Sequence, residues 1–182
     1  MYHIKKDKRS AASAELLCNG LADMLKSKNY SEISISDICS SCGIARTTFY
    51  RLFDTLDDIL LYQFDTLFEE SIAQYQKRDD RNNSSYARII LHIALLDPAL
   101  ITTLVSSGRS DLFDFATRLK EDILIRDMQI EIDPVNRRYC TAMLNAMMLA
   151  ALKTWIENGC KETADELYQI LKSNLLLIQR HI

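Results

Sequence analysis

The sequence predicts an all-α fold of about nine helices, and three observations carry that prediction. Helix breakers are scarce, with four Gly and two Pro in 182 residues. Apolar residues make up 48% of the chain, drawn mostly from Leu, Ile, Ala and Met with few Val, a set rich in good helix formers. These residues recur at three- and four-residue spacings, the period of a helix that buries one face. So apolar a chain can bury a full core, which excludes disorder. Its length suits a small head followed by a larger body, read here as residues 1–53 and 54–182.

Residues 10–27 (SAASAELLCNGLADMLKS) place Ala14, Leu17, Leu21, Met24 and Leu25 on one stripe of a first helix. The stretch KNYSEIS breaks it. Ser34 then caps a short second helix, with Asp37 three positions on in a capping-box arrangement. Ile35, Ile38, Cys39 and Cys42 form its inner stripe, and Gly43 ends it as a residue able to take positive φ. A third helix runs from near Ala45 to near Leu52. Thr55 opens a fourth with Asp58 at the box position, and Leu56, Ile59, Leu60, Phe64, Leu67 and Phe68 carry it towards Gln76.

KRDDRNNSS (77–85) reads as a loop and a candidate hinge between head and body. Further helices are expected near 84–96, 98–107, 110–127, 134–158 and 163–180. Asp97-Pro98 and Asp133-Pro134 each pair an N-cap with proline at the first helical position. Gly108 and Gly159 mark helix ends, and Thr163 with Glu166 is a capping box opening the last helix. The final two helices are rich in apolar residues. The first carries Tyr139, Met143, Ala146, Met147, Ala150, Leu152 and Trp155, and the second Leu167, Ile170, Leu171, Asn174, Leu175 and Ile178. A long antiparallel pair this apolar suits a four-helix homodimer interface.

Net charge is −3, but it is unevenly spread. Residues 1–51 hold eight Lys and Arg against five Asp and Glu, and the remainder holds 14 against 20. A basic head on an acidic body is the asymmetry expected when one end of a protein meets nucleic acid. Five scattered Cys, an odd number, and no apolar stretch of secretory length behind the basic N-terminus point to a reduced cytoplasmic protein. The longest apolar stretch, 142–152, contains Asn145 and falls short of a membrane span, so no membrane association is expected.

Three short helices, the second and third joined by a glycine turn, make a helix-turn-helix, whose last helix lies in the major groove of DNA. Phe49 and Phe53 would anchor that helix. Arg46, Thr47, Thr48, Tyr50 and Arg51 are then the residues to face double-stranded DNA, as donors to base edges and phosphates. Ser34 and Ser36 offer hydroxyls beside free backbone N–H groups at the start of the second helix. Lys5, Lys6, Lys8 and Arg9 form a basic arm ahead of the first helix, able to add salt-dependent affinity or enter the minor groove.

The segment ISISDICSSCGIARTTFYRLFDTLDDIL resembles the DNA-binding domain of the TetR/AcrR family of bacterial transcription regulators. Ser34, Ile38, Gly43, Ile44, Thr48, Phe49, Tyr50, Phe53 and Ile59 match the family pattern, which covers roughly residues 8–62. WIENG (155–159) is similar to a subgroup that includes activators of dihydroxyacetone kinase operons. Leu52 and Leu56 stand where the family often has His and Lys, and Ala45 where it has a capping Ser or Thr, which implies fewer polar contacts to DNA. The resemblance implies a homodimeric regulator, read as an effector-responsive repressor on a palindromic operator. The alternative is a regulator acting mainly through a protein partner.

An effector pocket in the body would draw on His92, Asn145, Met147 and Trp155. The commoner use of a Met and Trp stripe is core or dimer packing. Cys39-Ser-Ser-Cys42 lacks the second ligand pair of a zinc site and reads as small core residues. No metal, cofactor or catalytic constellation of nucleophile, base and acid is expected.

Overall fold

In the computed structural model, residues 2–4, 7–77, 86–106, 109–118, 120 and 133–179 are described. Among them are nine α-helices and one 3-10 turn. The head is α1 (Lys8–Leu25), the 3-10 turn Tyr30–Glu32, α2 (Ile35–Cys42) and α3 (Arg46–Leu52). Next come α4 (Leu56–Lys77), α5 (Tyr86–Leu96), α6 (Pro98–Ser106), α7 (Ser110–Arg118), α8 (Pro134–Glu157) and α9 (Ala164–Gln179). The expected loop at 78–85, Gly108 and, apart from Lys120, the continuation of α7 beyond Arg118 lie outside the described residues.

Local chemistry sets most of the boundaries. Asp7 caps α1 by accepting the backbone N–H groups of Arg9 and Ser10, so Lys8 and Arg9 form its first turn. They were expected in a free arm; an N-cap aspartate outcompetes that arrangement by satisfying two otherwise orphaned donors. Ser34 and Asp37 complete the expected capping box on α2. Thr163 and Glu166 do the same before α9, with the Thr163 N–H 2.8 Å from the Glu166 carboxylate. Asp133 accepts from Val135 and Asn136 at the start of α8. Asp97 accepts from the Leu100 N–H at 2.9 Å before α6.

Gly43 ends α2 at φ +65°, and its N–H bonds back to the α2 carbonyls. An L side chain there meets no neighbouring atom but adopts a left-handed backbone, at about 1–2 kcal/mol. Gly43→Ala is therefore expected to lower stability by about that amount and Gly43→Asn by less, since Asn tolerates the left-handed region. Urea unfolding followed by circular dichroism checks the order, and an alanine variant as stable as glycine overturns it. Gly20 serves a different need. A Cβ there would lie 2.2 Å from the Cys42 sulfur, so only glycine lets α1 and α2 approach this closely. The Cys42 thiol donates to the Leu16 carbonyl at 3.2 Å, and Cys39 is buried, in keeping with the core reading of both.

One apolar core runs from head to body. Leu17, Leu21, Ile38, Phe49, Leu52 and Phe53 fill the head, and Ile59, Leu60, Phe64 and Phe68 carry the core along α4. α4 packs on α1 of the head and on α5, α6 and α7 of the body, so it belongs to both. Phe64 meets Phe113 of α7 edge-on at 6.3 Å. α5 and α6 are apolar enough together to resemble a membrane span, but they bend by 112° and bury their apolar faces. No single helix among the described residues is long and apolar enough to cross a bilayer.

α8 rests chiefly on α6 and α7, and α9 on α5. Arg88 of α5 staples α9 by pairing with Asp165 at 2.9 Å and lying 4.2 Å over the Tyr168 ring. The last two helices line a shared groove of about 310 Å³, and each takes its main support from other helices of the body.

Candidate nucleic-acid interface

α3 has seven residues, and its two faces differ completely. At about 100° per residue, Arg46, Thr47, Tyr50 and Arg51 occupy one side of the helix and Phe49 and Leu52 the other. The first four are exposed, Thr48 is half-buried, and Phe49 and Leu52 are buried. Phe53, in the C-cap position, is buried as well. Leu52, read from the family pattern as a lost polar contact, therefore faces the core.

The anchor extends beyond the helix as a chain of aromatic rings. Phe49 contacts Phe53 at 6.0 Å, Phe53 contacts Tyr62 of α4 at 5.8 Å, and Tyr62 contacts Tyr2 at 5.3 Å. Edge-to-face contacts of this kind add to the apolar burial that fixes α3. Ala45 supplies no side-chain cap to α3. One turn into the helix, a hydrogen bond from Arg46 to Tyr50 pushes the guanidinium's pKa up and holds the two side chains together on the outer face.

The N-terminal residues fold back rather than projecting. Tyr2 forms a bridge with Phe53, and the His3 N–H donates to the Leu52 carbonyl at 2.7 Å. The Tyr2 hydroxyl donates to Asp65. Burial and then that bond push the phenol's pKa up, so it remains a donor. His3 lies 3.3 Å from the Asp54 carboxylate. A cleft of about 170 Å³ collects His3, Arg9, Ser10 and Arg51 beside Asp7 and Leu52. It places Arg9, from the first turn of α1, next to Arg51 at the end of α3. The sequence reading missed His3 here because the contact joins residues 51 positions apart. Lys5 and Lys6 lie outside the described residues.

Ser34 is less available than expected. Its hydroxyl donates to the Asp37 carboxylate at 2.6 Å and accepts from the Asp37 N–H at 3.2 Å. The Ser34 hydroxyl and N–H hold the Asp37 carboxyl below the usual carboxylate range, so a negative charge sits beside that position. Ser36, the second residue of α2, is exposed.

The four candidate effector residues do not converge. Met147 and Trp155 line the groove between α8 and α9 together with Leu167, Ile170 and Leu171. His92 bonds through Nδ1 to the Ser71 hydroxyl at 3.1 Å, and Asn145 donates to Asp114 at 3.4 Å. Neither lines that groove. Trp155 is a core residue whose Nε1–H donates to the Glu162 carbonyl at 3.1 Å. Its position matches the packing role that such a stripe more often has.

A helix-turn-helix head joined by a long α4 to a helical body is a fold that this chain shares with solved structures of TetR-family transcriptional regulators. Lin0861 from Listeria innocua superposes with a TM-score of 0.79 at 16% identity, over 97% of this chain and 96% of that one. A TetR transcriptional regulator from Streptococcus agalactiae 2603V gives 0.60 at 20% identity, over 91% and 94%. Among curated proteins, 65 residues are 32% identical to the HTH-type dhaKLM operon transcriptional activator DhaS of Lactococcus lactis subsp. lactis (strain IL1403). That match spans 36% of this chain and 35% of DhaS, about a third of the relative's length. No family model matches the chain.

Proposed function

We propose that this chain is a homodimeric transcriptional regulator that inserts α3 into the major groove of a palindromic operator. The observation that carries the reading is the division of α3 into a buried anchor and an exposed face of Arg46, Thr47, Tyr50 and Arg51. Arg46 and Arg51 match guanine edges or phosphates, Thr47 and Thr48 reach either, and Tyr50 is a rigid phosphate donor. Arg9, in the cleft beside Arg51, and the Ser36 hydroxyl add phosphate contacts from α1 and α2. Dimerisation through α8 and α9 sets the two α3 helices about one turn of DNA apart or a multiple of it. An effector held in the body then shifts the heads between two arrangements and releases the operator, so the regulator acts as a repressor.

Gel-shift titration on the DNA upstream of the chain's own gene, at several salt concentrations, tests this. The expected result is sequence-preferring binding that weakens steeply with salt. Arg46→Ala combined with Tyr50→Ala is expected to lower affinity about 10- to 100-fold, as loss of one or two good contacts per subunit predicts. Wild-type affinity in that double variant overturns the reading. A second reading draws on the name of the curated relative, which is an activator. In it the body recruits another protein while the head holds DNA. A promoter–reporter fusion separates the two, since deletion of the gene raises expression under a repressor and lowers it under an activator.

A further inference from the structure

We propose that the head–body junction is a binding site for a small molecule joining an ammonium group to an aromatic or branched apolar group. As a regulatory site the inference rests on the regulator reading above; as a binding site it stands on geometry. A cavity of about 570 Å³ lies between the N-terminal residues, the first turns of α4 and α7. That is within the range of about 300–1,000 Å³ typical of small-molecule sites. It is larger than the α8–α9 groove at about 310 Å³. Leu112, Phe115 and Ala116 of α7 face Leu61 of α4 across it, and Tyr2 closes one side. Phe115 is 45% exposed, leaving an aromatic face for a ligand to cover.

The charged groups that line the cavity all come from α4 and carry one sign. Asp57, Asp58 and Asp65 join Thr55 in its lining, and none of the lining residues described is basic. Two cations stand behind these carboxylates. Arg109, just before α7, grips Asp57 at 2.8 Å, and Lys120, just after it, pairs with Asp65 at 3.0 Å. Arg109 also serves Asp111 at 3.1 Å, and its proximity holds the Asp111 carboxyl below the usual range. Three carboxylates at the cavity, with Asp111 beside them, outnumber the two cations. Asp57 also accepts the Tyr30 hydroxyl, and Asp65 that of Tyr2. Since an ionised carboxylate has about four lone-pair sites, each keeps capacity for one more donor. An apolar wall opposite surplus acceptors selects an amphipathic amine and rejects an anion.

The occupant would touch the segments that hold α3. Tyr2 bridges to Phe53, and the next residue bonds to the Leu52 carbonyl. Thr55, Asp57 and Asp58 lie immediately after the recognition helix, and Asp58 accepts the N–H groups of Asp54 and Thr55 at 2.9 and 3.1 Å. A ligand that draws Asp57 from Arg109 changes the contact between α4 and the start of α7, and one that draws Asp65 from Tyr2 frees the segment that bridges to Phe53. Binding is thereby coupled to the seat of α3.

Three probes with one skeleton test the site: 4-phenylbutylammonium, 4-phenylbutanol and 4-phenylbutyrate, titrated into the full chain by calorimetry. The ammonium ion is expected to bind saturably at sub-millimolar concentration, at least tenfold tighter than the carboxylate, with the alcohol between them. Phe115→Lys, which adds a like charge at an exposed position, and Leu61→Trp, which fills the cavity, are each expected to weaken the ammonium at least tenfold. Circular dichroism confirms that each variant is folded. No saturable ammonium binding, equal binding of ammonium and carboxylate, or binding indifferent to both variants overturns the site. The operator gel shift is then run with and without the ammonium probe. Amine binding by a chain that never binds DNA sinks the regulator reading and leaves the site standing; operator binding with no amine binding does the reverse.

Discussion

Phe49→Ala is expected to destabilise the head by about 3–5 kcal/mol and to abolish operator binding. Phe49 is fully buried, and α3 is too short to hold itself together; isolated helices below about 12–15 residues are marginal in water. Nearly all the stability of α3 therefore comes from the face that carries Phe49, Leu52 and Phe53. Removing the ring deletes its transfer energy and leaves a void at the start of the aromatic chain that runs through Phe53 and Tyr62 to Tyr2. A loss of that size is a large part of a typical domain's total of about 5–15 kcal/mol. Tyr50→Ala, one position on, is the control. Its side chain is 47% exposed, so it is expected to change stability by about 0.5 kcal/mol or less while still weakening DNA binding. Urea unfolding of both variants beside the gel shift separates anchoring from contact. A Phe49→Ala protein with wild-type stability would remove the basis for dividing α3 into two faces.

The features legible in the sequence were those that local chemistry decides. Ser34 with Asp37, Thr163 with Glu166, Asp133 before Pro134 and the left-handed Gly43 each satisfy helix ends with residues at most three positions away. The same signal was present at Asp7 and pointed to a helix beginning at Lys8. The run of basic residues drew the reading towards a free arm instead. Helical phase would have placed Leu52 beside Phe49, but the family pattern drew the reading to a lost polar contact there. The TetR-like fold followed from a short stretch whose turn, aromatic and capping residues were in register.

What the sequence did not disclose depends on residues far apart in the chain. Tyr2 meets Asp65 across 63 positions, and Arg109 meets Asp57 across 52. No periodicity or capping rule links such pairs. The head–body cavity they flank was therefore invisible, and the expected effector pocket was sought on α5 and α8. His92 was satisfied by Ser71, 21 positions away, and Trp155 by the core. The Met and Trp stripe divides, with Trp155 in the core, Met147 at a groove and Met143 exposed, because hydrophobicity at helical spacing reports a face and not what is buried against it.

Met143→Glu is expected to convert a dimer into a monomer without unfolding it. Val135, Tyr139 and Met143 recur at four-residue spacing along α8, and Met143 is 71% exposed. On α9, Ile170, Leu175, Leu176 and Leu177 are also exposed, so the end of the body presents a broad apolar surface. Surfaces of this kind usually mark an interface. A two-fold axis through α8 and α9 would bring each substitution into the interface twice, burying two carboxylates with no cation in the stripe to pair them. The dimer dissociation constant is expected to rise at least 100-fold, read by sedimentation velocity. Circular dichroism should stay unchanged, because the side chain makes little contribution to the core of one subunit. Operator affinity should fall by about 10²–10⁴-fold, since a monomer loses the high effective concentration that a linked second head provides. A Met143→Glu protein that sediments as a dimer with wild-type affinity would move the interface away from α8. Loss of dimerisation with full operator affinity would instead mean that one head suffices, and the palindromic operator would fall with it.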